Sequence, residues 1–370
     1  MRVPFYDIKA QYAELAPQMD AAVLQVLASG AYAMGPNHNA LEQEIAALHG
    51  CKYGIAVNSG TDALRIMLDA SGIGAGDEVI TTAFTFVASL EVIVQVGATP
   101  VFVDIDPATF QMNPSLIEAA ITPRTKAIMP IHLFGQLCAI REIKAIADRH
   151  GLTLLEDAAQ ALGSHHEGTY AGNFGVSAGF SFYVTKNLGA AGDGGMIVTN
   201  DDGILERCKS MRVHGMGRER YYYDHVGYTS RLAELQAAVL RTKLTRLPAW
   251  NKRRTELAAI YFDTLGGSDV VLPATLPGNN HTWHQFSVRS TRRDELQAFL
   301  KSREVDSMIY YPVPLHYHAP YRHLAAKGSL PETERAALEI LNLPIHPHLS
   351  DEQVRHAAQC IREFSVAPVA

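Results

Sequence analysis

Between Gly54 and about Asn200, short apolar runs alternate with stretches whose apolar residues recur at helical spacing. The runs Gly54–Val57, Glu78–Thr82, Pro100–Asp104, Lys126–Ile131, Leu152–Glu156, Ala178–Tyr183 and Met196–Thr199 have strand length and few polar interruptions. Helical patterns cover Thr61–Ala70, Phe86–Val96, Ser115–Ala120 and Ala139–His150, and turn signals such as Gly74-Ala75-Gly76-Asp77 separate a helix from the next strand. This alternation predicts a seven-stranded, mostly parallel sheet covered by helices on both faces.

The flanks read differently. Leu15, Met19, Ala22, Val23, Val26 and Leu27 suit one face of a helix ending before Ser29-Gly30, and a second helix follows the turn Tyr32–Pro36. After Ser230 a helical pattern runs from Leu232 to about Leu247, breaks at Pro248, and resumes from Arg253 to Leu265. The Gly/Pro-rich run Leu272–Asn280 reads as a linker. A strand over His281–Val288, a helix over Arg293–Lys301 and a last helix from Asp351 to about Phe364 then make a smaller α/β unit. The expected division is a large domain over residues 1–247 and a small one over 248–370.

Three stretches carry chemistry. Phe180–Val184 is an aromatic run that leads to Lys186, after which the glycines of Gly189, Gly192, Gly194 and Gly195 begin. Apolar neighbours lower an amine's pKa, and a partly neutral lysine is a nucleophile suited to imine chemistry. The plain alternative is a lysine that ends a strand and points into water. Leu152–Glu156 is an apolar strand that runs into Asp157, and ligands of open α/β sheets gather at the carboxyl ends of strands, so the two residues are candidates for one pocket. Asn58-Ser59-Gly60-Thr61 follows a strand and opens a helix, where free backbone N–H groups suit a phosphate. An imine-forming lysine, a carboxylate for a pyridinium nitrogen and a phosphate cradle are the requirements of pyridoxal phosphate.

The segments NSGTDAL, GAGDEVIT with FTFVAS, PVFVDIDP, ITPRTKAI, LLEDAAQA, FSFYVTKNLGAAGDGG and SRLAELQAA occur in the order found in the DegT/DnrJ-type sugar-nucleotide aminotransferases. The chain resembles that family from about Pro4 to about Leu349. The resemblance implies an α/β, fold type I enzyme dependent on pyridoxal phosphate, with a seven-stranded large domain and a smaller C-terminal α/β domain. It implies that Lys186 binds the cofactor and moves the substrate proton, and that Asp157 pairs with the pyridine nitrogen. Gln160 is implied at the ring oxygen, Gly60, Thr61 and Ser181 at the phosphate, and Phe86 on the ring face. Two positions depart from the family's GxNSRLD segment. Thr229 replaces an asparagine that reaches the neighbouring subunit's phosphate, and Ala233 replaces an aspartate. His214, Arg231, Tyr311 and His316 match segments that line the substrate site in relatives. The implied substrates are a nucleotide-linked keto-sugar, with a dTDP-linked 3-keto-6-deoxyhexose ahead of C4-keto or UDP-linked sugars, and glutamate as amino donor.

Composition narrows the remaining choices. With 47% hydrophobic residues the chain can build a sizeable core, and a net charge of −6 argues against nucleic acid as partner. Four scattered cysteines without a CxxC pair read as buried residues of a reducing compartment. The opening residues hold no hydrophobic signal core and no apolar run approaches the length of a membrane span, so the expectation is a cytoplasmic protein, a homodimer by family resemblance. The pairs His165-His166, His316-x-His318 and His346-x-His348 lack an acidic or cysteine partner at ligand spacing, and no metal is expected. Three other activities were open to such a scaffold. A sugar dehydratase of this family carries histidine where Lys186 stands, a regulatory protein needs no complete cofactor set, and an amino-acid lyase fits the FTF and SRLAELQAA segments less well.

Overall fold

The strands predicted from the alternation are present in the computed structural model, which describes residues 1–366. In chain order the strands are β1 (Tyr53–Val57), β2 (Glu78–Thr81), β3 (Thr99–Phe102), β4 (Thr125–Ile128), β5 (Thr153–Asp157), β6 (His165–His166), β7 (Thr169–Tyr170), β8 (Ser177–Ser181), β9 (Gly195–Thr199), β10 (Asn279–Asn280), β11 (Phe286–Arg289) and β12 (Ile340–Leu343). Seven of them form one sheet in the order β1-β9-β8-β5-β4-β2-β3. Pairing is parallel from β3 through β8, and β9 alone runs against its neighbours β1 and β8.

Alternating side chains divide this sheet between two cores, as the pleat requires. Ala56, Ile80, Ile128, Leu154, Phe180 and Val198 face one side, where Leu41 and Ile45 of the helix Pro36–His49 and Ile140 and Ile143 of the helix Ile140–His150 cover them. Ile55, Val57, Val79, Ala127, Leu155 and Ile197 face the other, under the helix Gly60–Ala70 and the helix Asp202–Met211. Burial on both faces explains why the strands read as continuous apolar runs.

A third core joins β11 and β12 to the helices Arg293–Ser302 and Asp351–Val366 through Phe286, Val288, Leu296, Leu343 and Ile361. The helix Leu247–Leu265 reaches both regions, with Leu247 in the sheet core and Leu257, Tyr261 and Leu265 in the third. The chain's start lies in the third core as well: Val3 is fully buried there, and its N–H and C=O bond to Glu304 O (2.9 Å) and Asp306 N (3.0 Å).

Four local expectations are revised. Pro248 does break the pattern, but it sits in the first turn of the helix Leu247–Leu265, where its missing N–H costs nothing, so helix resumes at once rather than at Arg253. The run Leu272–Asn280 is stitched down and is no free linker: β10 pairs with β6, and Ala274 N donates to Ala108 O at 3.0 Å. The strand expected over His281–Val288 begins only at Phe286, because Trp283 adopts a left-handed φ of 48° and Thr282 N donates to Gly135 O at 2.7 Å. On the first helix, Ile8–Ser29, Leu15, Met19 and Val26 are buried, whereas Leu27 is 47% exposed.

One glycine governs how closely β9 approaches the turn after β1. A Cβ on Gly195 would lie 2.2 Å from Ser59 O, a backbone atom that cannot move aside. Gly195→Ala is expected to lower stability by roughly 1–3 kcal/mol, as overpacking does. Thermal unfolding of the purified variant checks this, and an unchanged midpoint would contradict the close approach.

Candidate active site

Parallel pairing of β5 with β8 sets Asp157, the last residue of β5, opposite Gly179. Lys186 follows the end of β8 by one turn, closed by Lys186 N to Tyr183 O and Ala190 N to Phe182 O, both 2.8 Å. The glycine loop beyond is held from another element, since the buried Lys243 donates from Nζ to Gly189 O at 2.7 Å. The Lys186 amine has no hydrogen-bond partner among the described residues. Burial lowers its pKa to about 8, although the carboxylate of Asp157 pulls the other way.

Asp157 is buried, and burial pushes its pKa up. Ser89 Oγ donates to its Oδ2 at 2.7 Å and Ala159 N to its Oδ1 at 3.1 Å, which with the charge of Lys186 oppose that rise. Thr85 Oγ1 lies 3.1 Å from Ser89 Oγ and continues the chain. The adjacent Glu156 points to the opposite face by strand alternation. Its Oε1 accepts N–H bonds from Gly172 (3.1 Å), Phe174 (3.1 Å) and Gly175 (2.8 Å), a set that suits a carboxylate. Its Oε2 lies 3.0 Å from His132 Nε2, and Cys138 N donates to His132 Nδ1 at 3.2 Å, so the imidazole is neutral and donates from Nε2.

The turn after β1 approaches the same strand end. Ser59 caps the helix Gly60–Ala70 by accepting from Asp62 N at 3.0 Å, while the N–H groups of Gly60 and Thr61 have no partner among the described residues. A Cβ on Gly60 would sit 2.6 Å from the Ser181 Cβ, so the hydroxyl of Ser181 lies against these free donors. Behind them Ser230 Oγ donates to Asp62 Oδ2 at 2.7 Å and accepts from Asn58 N at 3.1 Å.

The rim is aromatic. Phe86 is 55% exposed, unusual for its size, and its ring centre is 6.2 Å from that of Tyr311. Gln160 accepts from Phe134 N at 2.7 Å and donates to Tyr311 Oη at 3.2 Å. Thr229 and His214 are both exposed and in contact, Oγ1 to Nε2 at 3.1 Å, and Arg231 is half-buried two residues on. His316 stands apart. Its ring is closed off from solvent, with Nε2 3.0 Å from Glu334 Oε1. Burial is also the fate of Arg212, which binds Glu42 and Ala56 O behind the sheet. Ser89, the Glu156–His132 pair, Tyr183 and Asn187 were not among the expected site residues. Ser89 had a readable signal, since it lies one helical turn after Thr85 in FTFVAS.

A buried carboxylate, an unpaired amine and a helix turn with two unspent N–H groups therefore converge, and they fit pyridoxal phosphate in chemistry and in placement. The family model for DegT/DnrJ/EryC1/StrS aminotransferases matches residues 14–362. The chain belongs to this family. It is 44% identical to the dTDP-3-amino-3,4,6-trideoxy-alpha-D-glucose transaminase of Streptomyces venezuelae, over 98% of this chain and 96% of that one. A protein of Geobacillus stearothermophilus named pleiotropic regulatory protein is 47% identical over 98% of this chain and 99% of its own length. The crystal structure of S. venezuelae DesV in complex with a ketimine intermediate superposes with a TM-score of 0.97 at 44% identity, covering all of both chains. Two further relatives, 42% and 40% identical, are named for UDP-linked sugars. This DegT-family protein is an enzyme, an aminotransferase of the fold type I α/β class, and its cofactor is pyridoxal phosphate. Among the described residues no helix is long and apolar enough to cross a membrane.

The raised pKa of Asp157 has a consequence for stability. The unfolded chain ionises this carboxyl freely at neutral pH, whereas the folded, cofactor-free site must bind a proton or bury a charge. Stability is therefore lost as pH rises through and above the ordinary carboxylate range. Asp157→Asn removes that loss, so the cofactor-free variant should unfold at a higher temperature than the parent at about pH 8. The difference should vanish below about pH 3, where the carboxyl is protonated in the folded and the unfolded chain alike. Melting curves across this range test it, and a variant less stable at pH 8 would contradict the burial cost.

Proposed function

We propose that this aminotransferase moves the amino group of glutamate onto the 3-keto carbon of a dTDP-linked 6-deoxyhexose. The observation that carries the reading is the juxtaposition of the unpaired, half-buried Lys186 amine with the buried, ionisable Asp157. Bound pyridoxal phosphate supplies an aldehyde that carries the amino group from donor to acceptor and a ring that withdraws electrons. Lys186 is the attachment point and, once released, the base that moves a proton at the substrate carbon; an amine of pKa about 8 both accepts and returns it near neutral pH. Asp157 holds the ring nitrogen protonated, and Ser89 aims the carboxylate by its 2.7 Å bond.

The N–H groups of Gly60 and Thr61 and the Ser181 hydroxyl hold the phosphate. Exposed Phe86 stacks on the ring, and Gln160 reaches the ring oxygen with the second hydrogen of its amide. His214, Arg231 and Tyr311 supply donors to the sugar nucleotide. His316 joins them only through movement of its Glu334 contact, because its ring is sealed in this structure. The names of the S. venezuelae relative and of the UDP-sugar relatives all place the nitrogen or the keto group at C3. They support the position more than the nucleotide.

A homodimer completes the reading. Tyr12, Leu24, Leu27, Tyr32 and Met34 are exposed along the first 34 residues, as are Phe86, Tyr183 and the Tyr221–Tyr223 run, a large apolar surface that a second copy would bury. Exposed Thr229 would then face the partner's phosphate turn. A cytoplasmic location is part of the same proposal. The relative from G. stearothermophilus lends its name to a regulatory alternative, and a complete lysine, carboxylate and phosphate set weighs against it.

The test is the absorption spectrum of the purified protein with added cofactor. Glutamate should replace the band of the lysine-bound form with that of pyridoxamine phosphate, and a dTDP-linked 3-keto-6-deoxyhexose should restore it. Restoration by a UDP-linked or C4-keto sugar instead would move the substrate assignment, and indifference to glutamate would remove the donor. Lys186→Ala should bind cofactor without the lysine-bound band and lose turnover entirely. Light scattering should return twice the mass of one chain.

A further inference from the structure

The turn that opens the helix Gly60–Ala70 carries half of a capping box. In the full box, a serine at the helix start accepts from the N–H three residues on, and an acid at that third position reaches back to the serine's own N–H. Ser59 and Asp62 stand at this spacing, and the first half is present: Asp62 N donates to Ser59 Oγ at 3.0 Å. The second half is missing. The N–H of Ser59, like those of Gly60 and Thr61, has no partner among the described residues.

The carboxylate that would complete the box is held elsewhere. Its Oδ2 accepts from Ser230 Oγ at 2.7 Å and its Oδ1 from Arg65 Nη2 at 2.9 Å. Both holders are themselves fixed. Ser230 is fully buried; its N–H donates to Arg212 O at 2.9 Å and its Oγ accepts from Asn58 N at 3.1 Å. The Arg65 guanidinium lies over the Tyr228 ring, 3.9 Å from its centre, and Tyr228 Oη donates to Asp69. Tyr228 and Ser230 flank Thr229, so one short segment, remote in sequence, restrains the acid from two directions.

An acid in the first turn of a helix and an anionic ligand compete for the same free N–H groups and the same positive end of the helix dipole. Left to itself, Asp62 would close the box, spend the Ser59 N–H and set a negative charge beside Gly60 and Thr61. We propose that Ser230 is a positioning residue for the cofactor phosphate: with Arg65 it holds the Asp62 carboxylate off the helix start and keeps the N–H groups of Ser59, Gly60 and Thr61 open to a phosphate dianion. This role rests on the proposed placement of that phosphate on Gly60, Thr61 and Ser181.

The experiment reads binding rather than turnover. Full-length, cofactor-free protein is titrated with pyridoxal phosphate and with pyridoxal, which lacks the phosphate, and the absorption of the lysine-bound form gives the ratio of the two dissociation constants. Ser230→Ala should lower the preference for the phosphorylated form about tenfold, the scale of one hydrogen bond to a charged group, and leave pyridoxal binding unchanged. Ser230→Ala combined with Asp62→Ala should restore the preference, because the competing carboxylate is gone. Should Ser230→Ala not fold, Arg65→Gln frees the other carboxylate oxygen and takes its place in both measurements. A preference lost and not restored by Asp62→Ala, or an equal loss of both ligands, would give Ser230 a purely structural role and overturn the proposal. Ser181→Ala separates this role from the phosphate placement itself. A preference that falls in Ser181→Ala but holds in Ser230→Ala would overturn the proposal and leave the placement standing. A preference that holds in both would remove the placement and the proposal with it.

Discussion

The structure is arranged around a carboxylate that has been taken out of water. Asp157 ends β5 in an apolar setting where an unpaired negative charge is costly, and every neighbouring feature moderates that cost. The parallel register with β8 delivers the lysine loop to the same strand end, the helix starting at Ala88 presents Ser89, and Ala159 turns its N–H back onto the acid. Glu156, one residue earlier and on the opposite face, organises the chain leading into β8 through three backbone N–H groups. Two adjacent acids thus differ in role: Glu156 ties down the scaffold, and Asp157 is buried at the strand end with Ser89 and Ala159 as its donors.

The amine side follows the same logic. Lys186 is lowered in pKa by burial and raised by Asp157, so its protonation balances near neutrality rather than being fixed. Its loop is tied at two points, by Lys243 to Gly189 O and by Asn187 to Asn251 and Thr282. The turn after β1 adds a steric constraint. Gly60 and Gly195 allow the helix start, β8 and β9 to approach more closely than any side chain permits.

Much of this was legible in the sequence because it is local. Strand-length apolar runs, the acid at the end of Leu152–Glu156, the lysine after Phe180–Val184 and the Ser59-Gly60 turn each lie within a few residues of their own evidence. What escaped reading depends on contacts across long stretches of chain. Asn187 meets His284 across 97 residues, and the stretch that looked like strand from His281 is bent to serve Gly135 and Asn187. The Gly/Pro run before it looked like a tether because composition does not show that β6 lies beside it. His316 carries a motif that suggests a substrate donor, yet its ring spends its Nε2 on Glu334. Exposure of Phe86 could not be read either, since the same aromatic residue serves a core or a ligand face equally well.

The central claim is that Lys186, and no other amine of the chain, forms the bond to pyridoxal phosphate. Reduction of the cofactor-loaded protein with borohydride, followed by peptide mapping, reads this directly. The account predicts a single phosphopyridoxyl adduct on Lys186, with the buried Lys243 unmodified. An adduct on Lys243, or none on the peptide that contains Lys186, would contradict it.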